Sequence, residues 1–290
     1  MAVRIVTDSV SSIPAEVRER LDISVVSLYV VEGTTSTREI EIDHDEFYDR
    51  IAAAKELPTS AQPSPADLLE AFTSLIDKGH EVVGVFISDL MSGTFASANM
   101  VRDMVLKDRP DAKIEIVDSR SNSMQEGFVA IAAAEMAALG GTIEQCVTAA
   151  LDSVRRSRFL FTPESLESLR RGGRIGNAAA LIGSLIQLTP VLTVENGVAD
   201  TFKKVRTYPK AIATIIDQVV ADAESHGGIT RMCVHNITRS QLENAREVRD
   251  RLAEKFSHLD IPVISLGPVI GTHVGPAVGV IYETAEPLRA

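Results

Sequence analysis

Two long stretches of this 290-residue chain carry no Asp, Glu, Lys or Arg, although 24% of its residues are charged. They span residues 175–194 and 261–282. A membrane helix needs about 20 predominantly apolar residues, so the stretches are long enough to raise that possibility. The first is broken by Asn177, Ser184, Gln187, Thr189 and Pro190. The second places Gly267, Gly271, Gly275 and Gly279 four residues apart, which imitates the small-residue face of membrane helix pairs. It also holds Pro262, Pro268 and Pro276, and proline inside a helix removes a hydrogen bond and clashes with the preceding turn. Both stretches therefore read as buried segments of a globular protein, and no transmembrane segment is expected.

The charge balance narrows the partners. Lys and Arg number 29 against 40 Asp and Glu, a net charge of −11. Nucleic acid is a poor partner for such a chain, because phosphate contacts need clustered cations. Cys146 and Cys233 both lie in apolar runs and form no C-x-x-C pair. That argues against a disulfide framework and a zinc site and fits a reducing compartment. The first residues read as a short strand, not as an apolar signal core with a cleavage site, so the expected location is the cytoplasm.

The first half alternates strand and helix signals. Apolar strands are predicted at 3–6, 24–31, 82–87 and 113–117. Asp43–Glu46 has capping-box spacing for a helix to about Ala54. Ser64-Pro65-Ala66-Asp67 starts a second helix ending at Gly79. Further helices are predicted from Gly93 to about Lys107, over 124–139, and from the Thr142–Gln145 box to about Arg155. The second half has strands at 158–161, 231–234, 263–266 and 278–282. A short helix is expected after Thr162-Pro163, and longer ones over 208–224 and 241–256. Asn196-Gly197 between two β-rich runs is a hairpin signal. The expected fold is α/β, with two α/β domains. Residues 1–157 form a Rossmann-like, mostly parallel sheet, and residues 158–290 a mixed sheet with helices.

In open α/β sheets, ligands bind beyond the carboxyl ends of the strands. Four loops expected there are rich in hydroxyls: Thr7-Asp8-Ser9, Thr59-Ser60-Ala61-Gln62-Pro63-Ser64, Ser88 with Ser92-Gly93-Thr94, and Asp118-Ser119. Each alone reads as helix capping. Ser92-Gly93-Thr94 at a helix start also offers hydroxyls and backbone N–H groups to a carboxylate or phosphate. His273 lies in the uncharged Gly/Pro loop and can donate to a carboxylate. The segment Leu169-Arg170-Arg171-Gly172-Gly173-Arg174-Ile175 is the densest basic patch, and Lys203, Lys204 and Arg206 on the hairpin are candidates to extend it. Dinucleotide and P-loop fingerprints are absent. A serine hydrolase built on Ser92, His273 and Asp8 or Asp118 is the alternative reading. The missing G-x-S-x-G elbow argues against it.

Taken in order, Thr7-Asp8-Ser9, Ser60 with Gln62-Pro63-Ser64, Ser92-Gly93-Thr94, Asp118-Ser119 with Ser123-Met124, the 169–175 segment and the 267–276 loop resemble the DegV family. Its members are the fatty-acid-binding subunits of a bacterial fatty-acid kinase system. The resemblance covers essentially the whole chain. It implies a long-chain fatty acid buried between the two domains, with Ser60, Ser92 and His273 at its carboxylate and Gly93 and Thr94 beside them. The Thr59–Ser64 loop is one residue longer than the family's T-S-x-P-S pattern. Counting back from Gln62 puts the hydroxyl on Ser60, and counting forward puts it on Thr59; Ser60 is preferred. The resemblance further implies a dihydroxyacetone-kinase-like partner that supplies ATP and magnesium and phosphorylates the bound acid. This chain then carries the acyl phosphate for lipid metabolism, with no catalytic residue, metal or cofactor of its own. Arg170, Arg171 and Arg174 are candidates to face the partner or the phosphate. The two uncharged stretches are the expected tunnel walls.

Overall fold

The computed structural model describes residues 2–52, 58–181 and 188–289. The chain opens with β1 (Val3–Asp8), α1 (Ala15–Leu21) and β2 (Ile23–Val26). A small excursion follows: β3 (Tyr29–Glu32), β4 (Thr35–Arg38), α2 (His44–Ala52) and β5 (Thr59–Ala61). The α/β alternation then resumes with α3 (Pro65–Ile76), β6 (Glu81–Phe86), α4 (Thr94–Asp108), β7 (Ile114–Asp118), α5 (Ser123–Ala138) and α6 (Ile143–Arg156). The rest comprises β8 (Ser157–Pro163), α7 (Glu167–Arg171), β9 (Thr189–Glu195), β10 (Val198–Val205), α8 (Tyr208–Ser225), β11 (Ile229–Ile237), α9 (Leu242–Lys255), β12 (Val263–Ser265), α10 (Pro268–Val274) and β13 (Ala277–Thr284).

The strands form three sheets. The first runs β2-β1-β6-β7 and is parallel throughout. Its strands are nearly continuous apolar runs, as a sheet covered on both faces requires. The second runs β10-β9-β8-β13-β11-β12 and is mixed, with β12 the parallel partner of β11. The Asn196-Gly197 hairpin joins β9 to β10, both turn residues having positive φ. The small antiparallel sheet β4-β3-β5 stands apart. The expected single run at 24–31 is thus two strands in two sheets. Ser27 and Leu28 make the break, where the Leu28 N–H donates to Ser9 Oγ at 3.0 Å.

Helix α5 explains how the two large sheets meet. Every residue from Ser123 to Ala134 is buried, so the helix is covered all round, as a helix inside a core must be. Met124, Phe128 and Ile131 share one hydrophobic cluster with Val3, Ile5, Val83 and Val85 of the parallel sheet. The same cluster holds Phe159, Phe161, Leu192 and Ile281 of the mixed sheet. Both sheets therefore bury their facing sides against one helix.

Local sequence chemistry sets the boundaries. Ser64 and Thr142 each make a full capping box, with Asp67 and Gln145 as the reciprocal partners. Asp43 accepts from the Glu46 N–H at 2.9 Å, while Ala54 lies outside the described residues. The strand at 158–161 continues through Pro163, which pairs with Ala277, so the helix expected after Thr162-Pro163 begins only at Glu167. The uncharged stretch at 261–282 resolves into β12, α10 and β13, each flanked by its prolines. The other stretch is described only at 175–181 and 188–194. Among the described residues, no helix is long and apolar enough to cross a membrane.

Candidate functional site

A cavity of about 320 Å³ lies between the two large sheets. Its size falls within the range of small-molecule sites. One wall is the mixed sheet, through Phe159 and Phe161 of β8, Val194 of β9, His235 of β11 and Gly279 of β13. Opposite are Leu28, Ile87 and Met91 from loops of the first half. Helix α10 adds Val269, Ile270, His273 and Val274. The lining is mainly apolar, with hydroxyl, amide and imidazole groups at defined places.

Ser60, Ser92 and His273 come together on this cavity. Ser60 is carried by β5, the edge strand of the small sheet, and its Oγ lies 2.7 Å from His273 Nε2. His273 Nδ1 is buried with no partner among the described residues. A bare Nδ1 is tolerable as a lone pair and costly as a donor, so the proton belongs on Nε2 and points at Ser60. The Ser60 hydroxyl proton is then free for a ligand. Burial pushes the His273 pKa down to about 4, and the nearby Arg174 charge adds to the shift. The ring is therefore neutral at pH 7.

The backbone is close around this ring. A Cβ on Gly172 would collide with His273 Nδ1, so the α7 end can pass the ring only as glycine. A Cβ on Gly93 would collide with Gln62 Oε1 in the same way. Ser92 Oγ lies 2.9 Å from Thr94 Oγ1 and accepts the Thr94 N–H at 3.3 Å. Gly93 lines the cavity, whereas Thr94 is fully buried behind it, where it orients Ser92. Thr59 is exposed and does not line the cavity.

Helix α10 is held from below. The Val269 N–H donates to Glu39 Oε1 at 2.9 Å, and Ser9 Oγ donates to Glu39 Oε2. Burial raises the Glu39 pKa to about 7. Tyr48 OH donates toward Leu266 O at 2.9 Å and Gly267 O at 3.0 Å. These contacts fix the helix that presents His273.

The three arginines separate. Arg174 lines the cavity, donating from Nε to Met91 O at 3.1 Å and from Nη1 to Gly172 O at 2.6 Å. It thereby spans the mouth from one half of the chain to the other. Arg170 and Arg171 are exposed on α7, and both pair with Glu167 at 2.7 Å.

Two of the four hydroxyl-rich loops serve the frame instead of the cavity. Asp8 accepts the N–H groups of Val10 at 3.0 Å and Ile87 at 3.1 Å, tying the ends of β1 and β6. Asp118 accepts the Arg120 N–H at 2.7 Å. Neither acid orients His273, and His273 Nε2 meets Ser60 instead of Ser92, so the geometry assembles no Ser92–His273–Asp triad. Among the described residues, no group of three His, Cys, Asp or Glu side chains is placed to hold a metal.

His235 was not singled out by the sequence, yet it lines the cavity. Its Nδ1–H donates to Ile264 O at 2.9 Å, and its Nε2 accepts the Met124 N–H at 3.3 Å. Burial pushes its pKa down to about 4. Its place at the carboxyl end of β11 is the signal that could have found it.

Comparison with known proteins bears on this geometry. A family model described as an uncharacterised protein of the DegV family matches residues 2–285. A DegV domain-containing protein of Clostridium acetobutylicum is 41% identical over 290 residues, covering 100% of both chains. The crystal structure of DegV from Bacillus subtilis, described as a fatty acid binding protein, superposes with a TM-score of 0.86 at 32% identity; it covers 98% of this chain and 99% of that one. A DegV family protein from Thermus thermophilus, described by its fatty acid binding, gives 0.84 at 28% identity over 98% and 100% of the two chains. With residues 2–285 matched by the family model and a relative 41% identical over 290 residues, the chain belongs to the DegV family.

Proposed function

We propose that this protein binds a long-chain fatty acid in the cavity between its sheets and presents the carboxylate to a fatty-acid kinase. The observation that carries the reading is the Ser60–His273 pair on the wall of a mainly apolar cavity. An ionised carboxylate in an apolar site is costly unless several donors reach it. Ser60, Ser92 and the Gly93 backbone supply neutral donors, with His273 holding Ser60 in place and the Arg174 charge on the same cavity. The acyl chain provides the driving force, about 0.8 kcal/mol per buried CH₂. The fatty acid binding described for the Bacillus subtilis and Thermus thermophilus proteins supports the same use here.

In this reading residues 1–157 supply the hydroxyl loops and residues 158–290 supply the His273 loop and the acyl wall. The kinase partner, dihydroxyacetone-kinase-like, brings ATP and phosphorylates the carboxylate, and this cytoplasmic chain carries the acyl phosphate away. Arg174, at the mouth, is the arginine best placed to meet the phosphate, with Arg170 and Arg171 exposed for docking. Native mass spectrometry of protein purified from bacteria tests the binding step. One fatty acid per chain is expected. Protein that is lipid-free and also fails to take up added palmitate or oleate would refute it.

A further inference from the structure

A second cavity, of about 280 Å³, lies behind helix α10. Its walls include Ser12, Arg18, Glu39, His44 and Ser265, none of which reaches the fatty-acid cavity. An acyl chain would be a poor occupant, because it would strand the charges of Arg18 and Glu39 in apolar surroundings.

Among the described residues of this lining, the buried polar side-chain atom left without a partner is a donor. The Arg18 Nε–H is buried with no acceptor among the described residues. A buried donor left unmade is costly, and a guanidinium is matched in shape to carboxylate and phosphate oxygens. His44 stands on the same wall, where burial lowers its pKa against the opposing charges of Asp43 and Asp45. Glu39 is the one acid in the lining, but its oxygens are already engaged by the Val269 N–H and the Ser9 hydroxyl.

We propose that this cavity is a site for a compact anion, a small carboxylate or phosphate, held by the Arg18 guanidinium with His44 and the Ser265 hydroxyl. The ligand is small because the space is small, and anionic because the unpartnered buried atom in the lining is a guanidinium donor. The inference stands on the geometry of this cavity alone and does not depend on what fills the other one.

Isothermal titration of the full-length protein with inorganic phosphate, and separately with malonate, at low ionic strength tests it. Saturable binding of at least one probe is expected, weakened tenfold or more in Arg18→Gln. Lys255→Gln removes the same unit of charge from the exposed end of α9 and should leave binding unchanged. His44→Gln is a second variant on the cavity wall, expected to weaken binding at least threefold. Phosphate alone, malonate alone, or both binding in this pattern names the anion class. Binding of neither, equal affinity in Arg18→Gln and the unaltered protein, or equal losses in Arg18→Gln and Lys255→Gln would overturn the proposal.

Discussion

Ser60 Oγ and His273 Nε2 lie 2.7 Å apart although 213 residues separate them in the chain. One residue comes from the edge of the small sheet and the other from α10, so the pair forms only when both are in place. Ser60→Ala removes a hydroxyl donor and should weaken fatty-acid binding about tenfold. That matches the low end of roughly 1.5–3 kcal/mol for a hydrogen bond at a charged group. His273→Ala leaves the hydroxyl but frees Ser60 to turn away, and should cost no more than Ser60→Ala. Thr59→Ala, on an exposed side chain, should change nothing. Displacement of a fluorescent fatty acid measures all three, and a larger effect at Thr59 than at Ser60 would move the carboxylate to the other hydroxyl.

Phe161, Gly279 and His235 face one another across β8, β13 and β11. A Cβ at Gly279 would lie 2.7 Å from Phe159 Cε2 and 3.0 Å from Phe161 Cβ. Gly279→Ala must therefore push Phe159 toward the cavity. Overpacking of this kind costs about 1–3 kcal/mol. The expected result is a greater loss of affinity for an 18-carbon than for a 12-carbon acid, read by competition binding. Equal losses for both would place the chain end elsewhere.

Tyr48 fits against Gly271 so closely that a methyl group there would collide with its phenol. Gly271→Ala should destabilise the protein by about 1–3 kcal/mol through forced displacement of the ring. Tyr48→Phe keeps the ring but drops the hydroxyl that reaches Leu266 O and Gly267 O, and should cost about 0.5–1.5 kcal/mol. Chemical denaturation gives both numbers, and the alanine variant should be the less stable.

Stability should respond to pH with two opposing signs. His235 has a folded pKa of about 4, below its ordinary 6.5, so its contribution is present above pH 6.5 and lost as pH falls through 4. Glu39 has a folded pKa of about 7, above its ordinary 4.5, so its contribution is present below pH 4.5 and lost as pH rises through 7. Glu39→Gln should therefore gain in melting temperature, relative to the unaltered protein, between pH 5 and pH 8. His235→Gln should gain relative to it between pH 6.5 and pH 4. Melting curves parallel to the unaltered protein at every pH would contradict both assignments.

The sequence revealed most where the chemistry is local. Ser64 and Thr142 announce their helices by residues three positions away, and Asn196-Gly197 announces its turn by itself. The loop at Ser92 was readable as well, because it follows β6 of the parallel sheet, and strand ends there are where ligands gather. Ser60 was reached through the family resemblance, since it sits on β5 of the small antiparallel sheet. What stayed hidden depends on partners distant in the chain. Nothing near Glu39 shows that it will be buried beneath Val269, 230 residues later. The break at Ser27-Leu28 is marked only by one serine in a β-rich run, since it follows from the Leu28 N–H finding Ser9. His235 looks like one more strand residue until Gly279 is set beside it.

The burial of α5 on all sides has a consequence for how the chain is made. Its apolar surface faces one sheet that is complete by residue 118 and another whose central strand, β13, is not made until residues 277–284. Contacts so distant in sequence form late and slowly. A nascent chain stopped near residue 157 would hold α5 with one side bare, an adhesive surface without its cover. Both sheets share this one helix as cover, so removing β13 should leave the first half prone to aggregation.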